Sequence, residues 1–230
     1  MKKLTAIVLA ALVMCSIFAF TACGENNTDP PGVKTYTFEA EGVDLSEQSG
    51  HGWSNNANGC QMIQGKNTAK IRSNSKVLNS ISNEYFVGFF GVENTEFVFE
   101  ITSDADDAEA TLVLRLASEW GTLLVDQTVM KIVVNDVNLE YTPFSVTGKK
   151  IEGASEIEYG EPFVNFTIDT KISLKQGANV IKLVAQGKGF GENTAMDIGP
   201  GVDCIKVKSK ASLTWESLWE DNKLNVKYEE

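Results

Sequence analysis

From Lys34 onward, apolar and polar residues alternate in short runs. In EFVFEI (96–101), Phe97, Phe99 and Ile101 fall on one parity, with Val98 and Glu100 on the other. That period of two belongs to a strand with one buried face. TLVLRLAS (111–118, around Leu112, Leu114 and Leu116), MKIVVN (130–135) and NVIKLVAQ (179–186) follow the same rule. Between the runs, SDADDAE (103–109), LKQGAN (174–179) and GKGFGENT (187–194) predict loops through their Gly, Asn and Asp content. Many short strands with turn residues between them and little sign of helix predict an all-β fold, a sandwich or a barrel. No internal repeat and no second domain are visible. VTGKKIEGASEIEYGEP (146–162) reads as a long loop with room for a hairpin. The tail SLTWESLWEDNKLNVKYEE (212–230) fits two periods: Leu213, Trp215 and Trp219 suit a strand face, and Trp215, Leu218 and Trp219 a helical face.

The first residues change the picture by placing the chain. Lys2 and Lys3 precede an apolar run from Leu4 to Phe20, the n-region and h-region of an export signal. FTAC (20–23) then puts a small residue before Cys23, with the polar ENNTDPPG beyond Gly24. This resembles the lipobox of bacterial lipoproteins, with Phe20 where Leu is usual, and implies a lipid on Cys23. Ordinary signal cleavage is the alternative, and both readings export the chain. The expected organisation is a signal peptide at 1–22, a tether at 23–34, one β-sandwich at 35–209 and a tail at 210–230. Residues 1–22 carry two lysines and no acid, so their removal moves the formal charge from −11 to −13. Such a charge argues against nucleic acid or an anionic lipid surface as partner. Membrane attachment is then expected through the lipid alone, on a monomer at the bacterial cell surface or envelope. With Cys15 in the signal and Cys23 lipidated, Cys60 and Cys204 remain. Their pairing as a disulfide and their separate burial as small hydrophobes both stay open.

The candidate chemistry begins in TYTFEAEGVDL (35–45). If this is one extended strand, Glu39 and Glu41 share a face with their carboxylates roughly 6–7 Å apart. At an effective dielectric of about 20 their repulsion is on the order of 2–3 kcal/mol. Either water screens the pair or a cation sits between them.

The order of segments resembles the carbohydrate-binding modules of families 6 and 35, which are galactose-binding-like β-sandwiches. The segments are YTFEAEGVDL, YFVGFFGVENTEFVFEI (85–101), ATLVLRLAS (110–118), IVVNDVNL (132–139), ISLKQGANVIKLVAQG (172–187) and VDCIKVKS (202–209), together covering about residues 35–209. The resemblance implies a sandwich (jelly roll) of two antiparallel sheets. It also implies a structural calcium where first and last strands meet, held by Glu39, Glu41 and Asp203 and completed by backbone carbonyls or water. The bland alternative is a solvated acidic edge.

A sugar site combines an aromatic platform with planar polar groups on loops. SGHGWSNNANG (49–59) offers Trp53 with His51, Asn55 and Asn56; ASEWGT (117–122) offers Trp120 just past a strand end. GKGFGENTAMDIGPG (187–201), before the closing strand, offers Phe190, Asn193 and Asp197, the last also a candidate for a second calcium. Tyr85 lies near an aromatic position used by relatives, with core packing as its alternative. Residues 141–165 hold only Tyr141, Phe144, Tyr159 and Phe163 as aromatics and have no counterpart to the tryptophan-bearing loop of some relatives, so the ligand class does not transfer. Arg115, in an apolar strand, reads as snorkelling or ion-paired.

Enzyme readings lack parts. His51 is the single histidine, and no G-x-S-x-G, H-E-x-x-H or P-loop pattern occurs. A glycoside hydrolase needs only two carboxylates, so a small jelly-roll hydrolase stays as a lesser alternative. The expected function is non-catalytic capture of polysaccharide or oligosaccharide. The rival is an adhesion or scaffolding lipoprotein that binds protein, which a flat apolar patch around Trp215 and Trp219 would favour.

Overall fold

The computed structural model describes residues 29–44, 61–64, 80–82, 85–88, 90, 93–118, 121–148, 161–186 and 199–222. In chain order the strands are β1 (Lys34–Glu39), β2 (Gln61–Gln64), β3 (Tyr85–Gly88), β4 (Glu96–Ser103), β5 (Asp107–Ala117), β6 (Leu123–Val125) and β7 (Met130–Val134). There follow β8 (Val137–Asn138), β9 (Phe144–Val146), β10 (Val164–Thr167), β11 (Ile172–Leu174), β12 (Gly177–Ala185), β13 (Gly201–Ser209) and β14 (Leu213–Trp215). A 3₁₀ turn at Ala40–Gly42 follows β1, and a single helical turn, α1 (Trp219–Asn222), follows β14.

The strands form two main antiparallel sheets. One runs β10-β5-β13-β3-β2, with β1 also paired to β13 and β11 to β5; the other runs β14-β4-β12-β7-β8. β6 and β9 make a small separate ribbon. The parity read from the sequence is the parity of burial: Phe97, Phe99 and Ile101 on β4, and Leu112, Leu114 and Leu116 on β5, are all essentially inaccessible. Across the larger sheet, the register aligns Phe38, Ile205, Leu114 and Phe166 in one row that faces the core. Ile181 and Leu183 of β12 and Ile132 of β7 belong to the same core from the other sheet. Full burial of each such side chain contributes about 1.5–3 kcal/mol, so these rows outweigh any single polar contact. The fold is therefore the all-β sandwich of antiparallel sheets that the alternation predicts.

Two expectations need correction, and the tail is resolved. The opening strand does not run through residues 35–45. It stops at Glu39 and a 3₁₀ turn follows, in which Gly42 lies under the tail: a Cβ there would collide with Ser217 Oγ and come within 2.6 Å of Trp215 Cη2. The loop expected at 103–109 is shorter, because Asp107 opens β5 and its carboxylate is consumed locally. It accepts from the Glu109 and Lys210 amides at 3.0 and 2.8 Å and from Ser209 Oγ at 2.6 Å. The tail, which the sequence leaves open between two periods, joins the sandwich: β14 pairs with β4 in register Leu213↔Ser103, and the described residues from Pro31 onward belong to one compact unit. Both periods read in the tail are used in turn, a strand to Trp215 and a helical turn from Trp219. The expected hairpin segment lies largely outside the described residues, as do the signal peptide and most of the tether.

Candidate functional site

On the larger sheet the row next to the core row carries polar side chains. The register aligns Glu39 of β1, Cys204 of β13, Arg115 of β5 and Asn165 of β10. Strand alternation turns this row to the face opposite Phe38, Ile205, Leu114 and Phe166. Asp203 joins it through an irregularity in β13. The pairing with β5 shifts register between Val202 and Cys204, leaving Asp203 as an extra residue. Such a bulge re-aims one side chain out of the alternation.

The segment Ser80–Ser82 covers this row. Ser82 N donates to Asp203 Oδ1 and Oδ2 at 3.1 and 3.0 Å, and Ser82 Oγ donates to Glu39 Oε2 at 2.6 Å. Arg115 Nε lies 3.0 Å from Asp203 Oδ2, with Asp203 at 0% and Arg115 at 19% side-chain exposure. Arg115 also donates through Nε (2.9 Å) and Nη2 to the Ser80 carbonyl, and through Nη1 to Asn165 Oδ1 at 3.2 Å. Phe163 N donates to Ser80 Oγ at 2.8 Å, which anchors the covering segment to the run into β10. Residues more than a hundred positions apart thus meet around one serine.

Burial opposes ionisation here. It pushes the Glu39 carboxyl up to about 7, the Asp203 charge adding to the rise and the Ser82 hydroxyl opposing it. Burial likewise pushes Asp203 up to about 6, against the pull of the Ser82 hydrogen bonds and the Arg115 charge. Cys204 stands as a free, buried thiol, held well above the usual thiol range by burial and the two neighbouring carboxyls. Of the two readings left open for Cys204, this is the buried small hydrophobe; Cys60 lies outside the described residues.

Glu41 is fully buried within the 3₁₀ turn. The structure therefore brings Glu39 and Asp203 together but changes the geometry expected for Glu41, which does not share a strand face with Glu39. Among the described residues, no group of three or more His, Cys, Asp or Glu side chains is arranged to hold a metal.

Tyr85 is a correction. At 7% exposure, with its ring 4.5 Å from that of Trp219, it packs under the tail and presents no open platform. The expected sugar-binding residues Trp53, Trp120, Phe190, Asn193 and Asp197 and the lipid-bearing Cys23 lie outside the described residues. Arg115 is ion-paired, as its place in an apolar strand suggested. Ser80, Ser82 and Asn165 carried no sequence signal, because a serine that covers a distant carboxylate looks like any loop serine.

The class defined here is an all-β sandwich with a buried acidic pair at the junction of its first and last long strands. No protein-family model and no curated protein matches the chain. Among solved structures it is similar to a family 35 carbohydrate binding module from an environmental isolate, at 16% identity over 78% of this chain and 96% of that chain, TM-score 0.44. It is also similar to a family 35 carbohydrate binding module from Clostridium thermocellum, at 16% identity over 76% and 97%, TM-score 0.44. A third is the Podospora anserina GH26-CBM35 beta-(1,4)-mannanase, at 17% identity over 77% of this chain and 28% of that chain, TM-score 0.42.

Proposed function

We propose that this chain is a non-catalytic carbohydrate-binding lipoprotein, stabilised by calcium. In this reading it is exported, anchored through lipid on Cys23, and displayed at the bacterial cell surface or envelope. There it captures polysaccharide or oligosaccharide for enzymes carried on other chains, so its contribution is proximity and not chemistry. The observation that carries the reading is the meeting of Glu39 and Asp203 at Ser82. The resemblance in segment order places two acids from the E-A-E opening and the closing strand together, and the sandwich has them within reach of one residue.

The donors fit a hard divalent ion in kind. Carboxylate oxygens and nearby carbonyls are what calcium takes, and the ion would favour the charged form of acids that burial disfavours. Glu39 and Asp203 would hold it, and the resemblance in segment order assigns Glu41 to it as well. The same geometry weakens the hydrolase alternative. Both acids of the pair are occupied by Ser82, and Asp203 is inaccessible, whereas a glycosidase pair must flank the scissile bond. The protein-binding rival draws less support, since Trp215 packs on Phe38 and Phe99 and Trp219 on Tyr85, which leaves both rings half-buried.

The test is a screen of the full chain against plant, host and microbial glycans, in calcium and in chelator, with Trp53→Ala and Trp120→Ala in parallel. The expected result is binding to at least one glycan that one of the substitutions abolishes while the thermal melt stays cooperative. A folded protein that binds nothing across the set would turn the assignment to the scaffolding reading.

A further inference from the structure

We propose that Arg115 is a built-in competitor for the cation of the Glu39–Asp203 site: it holds Asp203 in the metal-free protein and sets the affinity for calcium low. The inference rests on the calcium reading above and assigns a role to a residue which that reading does not use.

The geometry argues for competition. Asp203 Oδ2, an oxygen that a metal would use, already faces Arg115 Nε at 3.0 Å. The guanidinium cannot easily move aside. The Ser80 carbonyl accepts from two of its nitrogens and Asn165 Oδ1 from the third, so β10 and the covering segment both hold it. A lysine would reach Asp203 as a mobile point charge; the planar fork of arginine is locked by these acceptors. With Asp203 fully buried and Arg115 largely so, solvent screens the pair weakly, and a divalent ion entering beside Asp203 meets a fixed positive charge. Calcium affinity follows the net charge and rigidity of the ligand set, and Arg115 cancels one of the carboxylates.

The covering segment strengthens the coupling. Ser80 fixes Arg115 while Ser82, two residues on, caps both acids, so occupation of the acid pair by a metal disturbs the same short segment that orients the arginine. The metal-free protein joins β13 to β5 through the Asp203–Arg115 pair; the loaded protein would join β1 to β13 through an ion between Glu39 and Asp203. Arg115 is a positioning residue for Asp203 and touches no sugar in this account.

The experiment combines calcium titration calorimetry, thermal melts and nitrogen-15 spectra of the full chain in mild detergent. Arg115→Met is expected to bind calcium at least about tenfold more tightly than the wild type and to lose more melting temperature in chelator. Arg115→Lys, which keeps the charge but not the locked fork, is expected to bind calcium with an affinity between those of the wild type and Arg115→Met. In the wild type, the Arg115 Nε–H resonance, identified by its absence in Arg115→Lys, is expected to shift on saturation with calcium. Calcium binding to the wild type with that resonance unmoved, or an Arg115→Met affinity no tighter than wild type, overturns the competition and leaves the calcium site standing. No calcium heat in any form, with no change in the resonance, overturns the calcium reading and this inference with it. Should Arg115→Met fail to fold even in calcium, the wild-type resonance decides.

Discussion

Glu39 and Asp203 are carboxyls whose burial makes the neutral form favourable, and this has a sign that can be measured. Their folded values, about 7 and about 6, exceed the ordinary values of 4.5 and 3.8. Between ordinary and shifted values the folded chain holds protons that the unfolded chain has released. Stability is then present at low pH and lost as pH rises through about 6–7. In chelator, the melting temperature is expected to fall between pH 5 and pH 8 by on the order of 3–6 °C, with one pKa unit equal to about 1.4 kcal/mol and a discount for the solvent that reaches Glu39. Glu39→Gln is expected to flatten that fall. Melts across pH 5–8 check it; a melting temperature that rises over the window would show both acids ionised in the folded state.

Among the elements, β14 and α1 are the ones whose importance the linear sequence hides. Trp215 meets Phe38 edge-on at 5.5 Å and Phe99 at 6.1 Å, so the tail closes one end of the core, while Leu218 N donates to the Gly42 carbonyl at 2.8 Å beside Glu41. Trp215→Ala is expected to cost about 2–3 kcal/mol, below the roughly 3–5 kcal/mol of a fully buried large aromatic because the ring is only partly buried. A urea titration should show the midpoint lowered with an unchanged slope. Strands were legible because period-two alternation survives wherever one face is buried, as in β4, β5, β7 and β12. Where β1 ends was not, because the signal at Gly42 is the approach of Trp215 and Ser217, residues more than 170 positions away. The bulge at Asp203 was likewise invisible, since VDCIKVKS keeps its apolar parity on either side.

At the scale of the whole molecule, the two sheets are held by a continuous core, and β1 and β13 carry one acid each of the Glu39–Asp203 pair. A cation bound only by the folded state stabilises it by mass action. With calcium about a hundredfold above its dissociation constant the gain is about 2.7 kcal/mol, which for a domain of this size raises the melting temperature by roughly 5–10 °C relative to chelator. Scanning calorimetry of fully loaded and fully chelated protein at pH 7.5 checks this; identical melts would remove calcium from the account. Calcium favours the ionised acids, so it should also cancel the downward pH trend expected in chelator.

The sequence by itself determined the class of fold, because alternation and turn residues are local properties that each strand carries within a few positions. It also marked Glu39, Glu41 and Asp203 as the acids to watch and Arg115 as a charge in need of a partner. Only the tertiary structure decided which of them meet. The antiparallel closure of β1 and β5 on β13 aligns Glu39, Cys204 and Arg115, the bulge aims Asp203 at the arginine, and Ser82 bridges the two acids. Those contacts depend on register and on one extra residue in a strand, and a shift of a single position would send every one of these side chains to the opposite face.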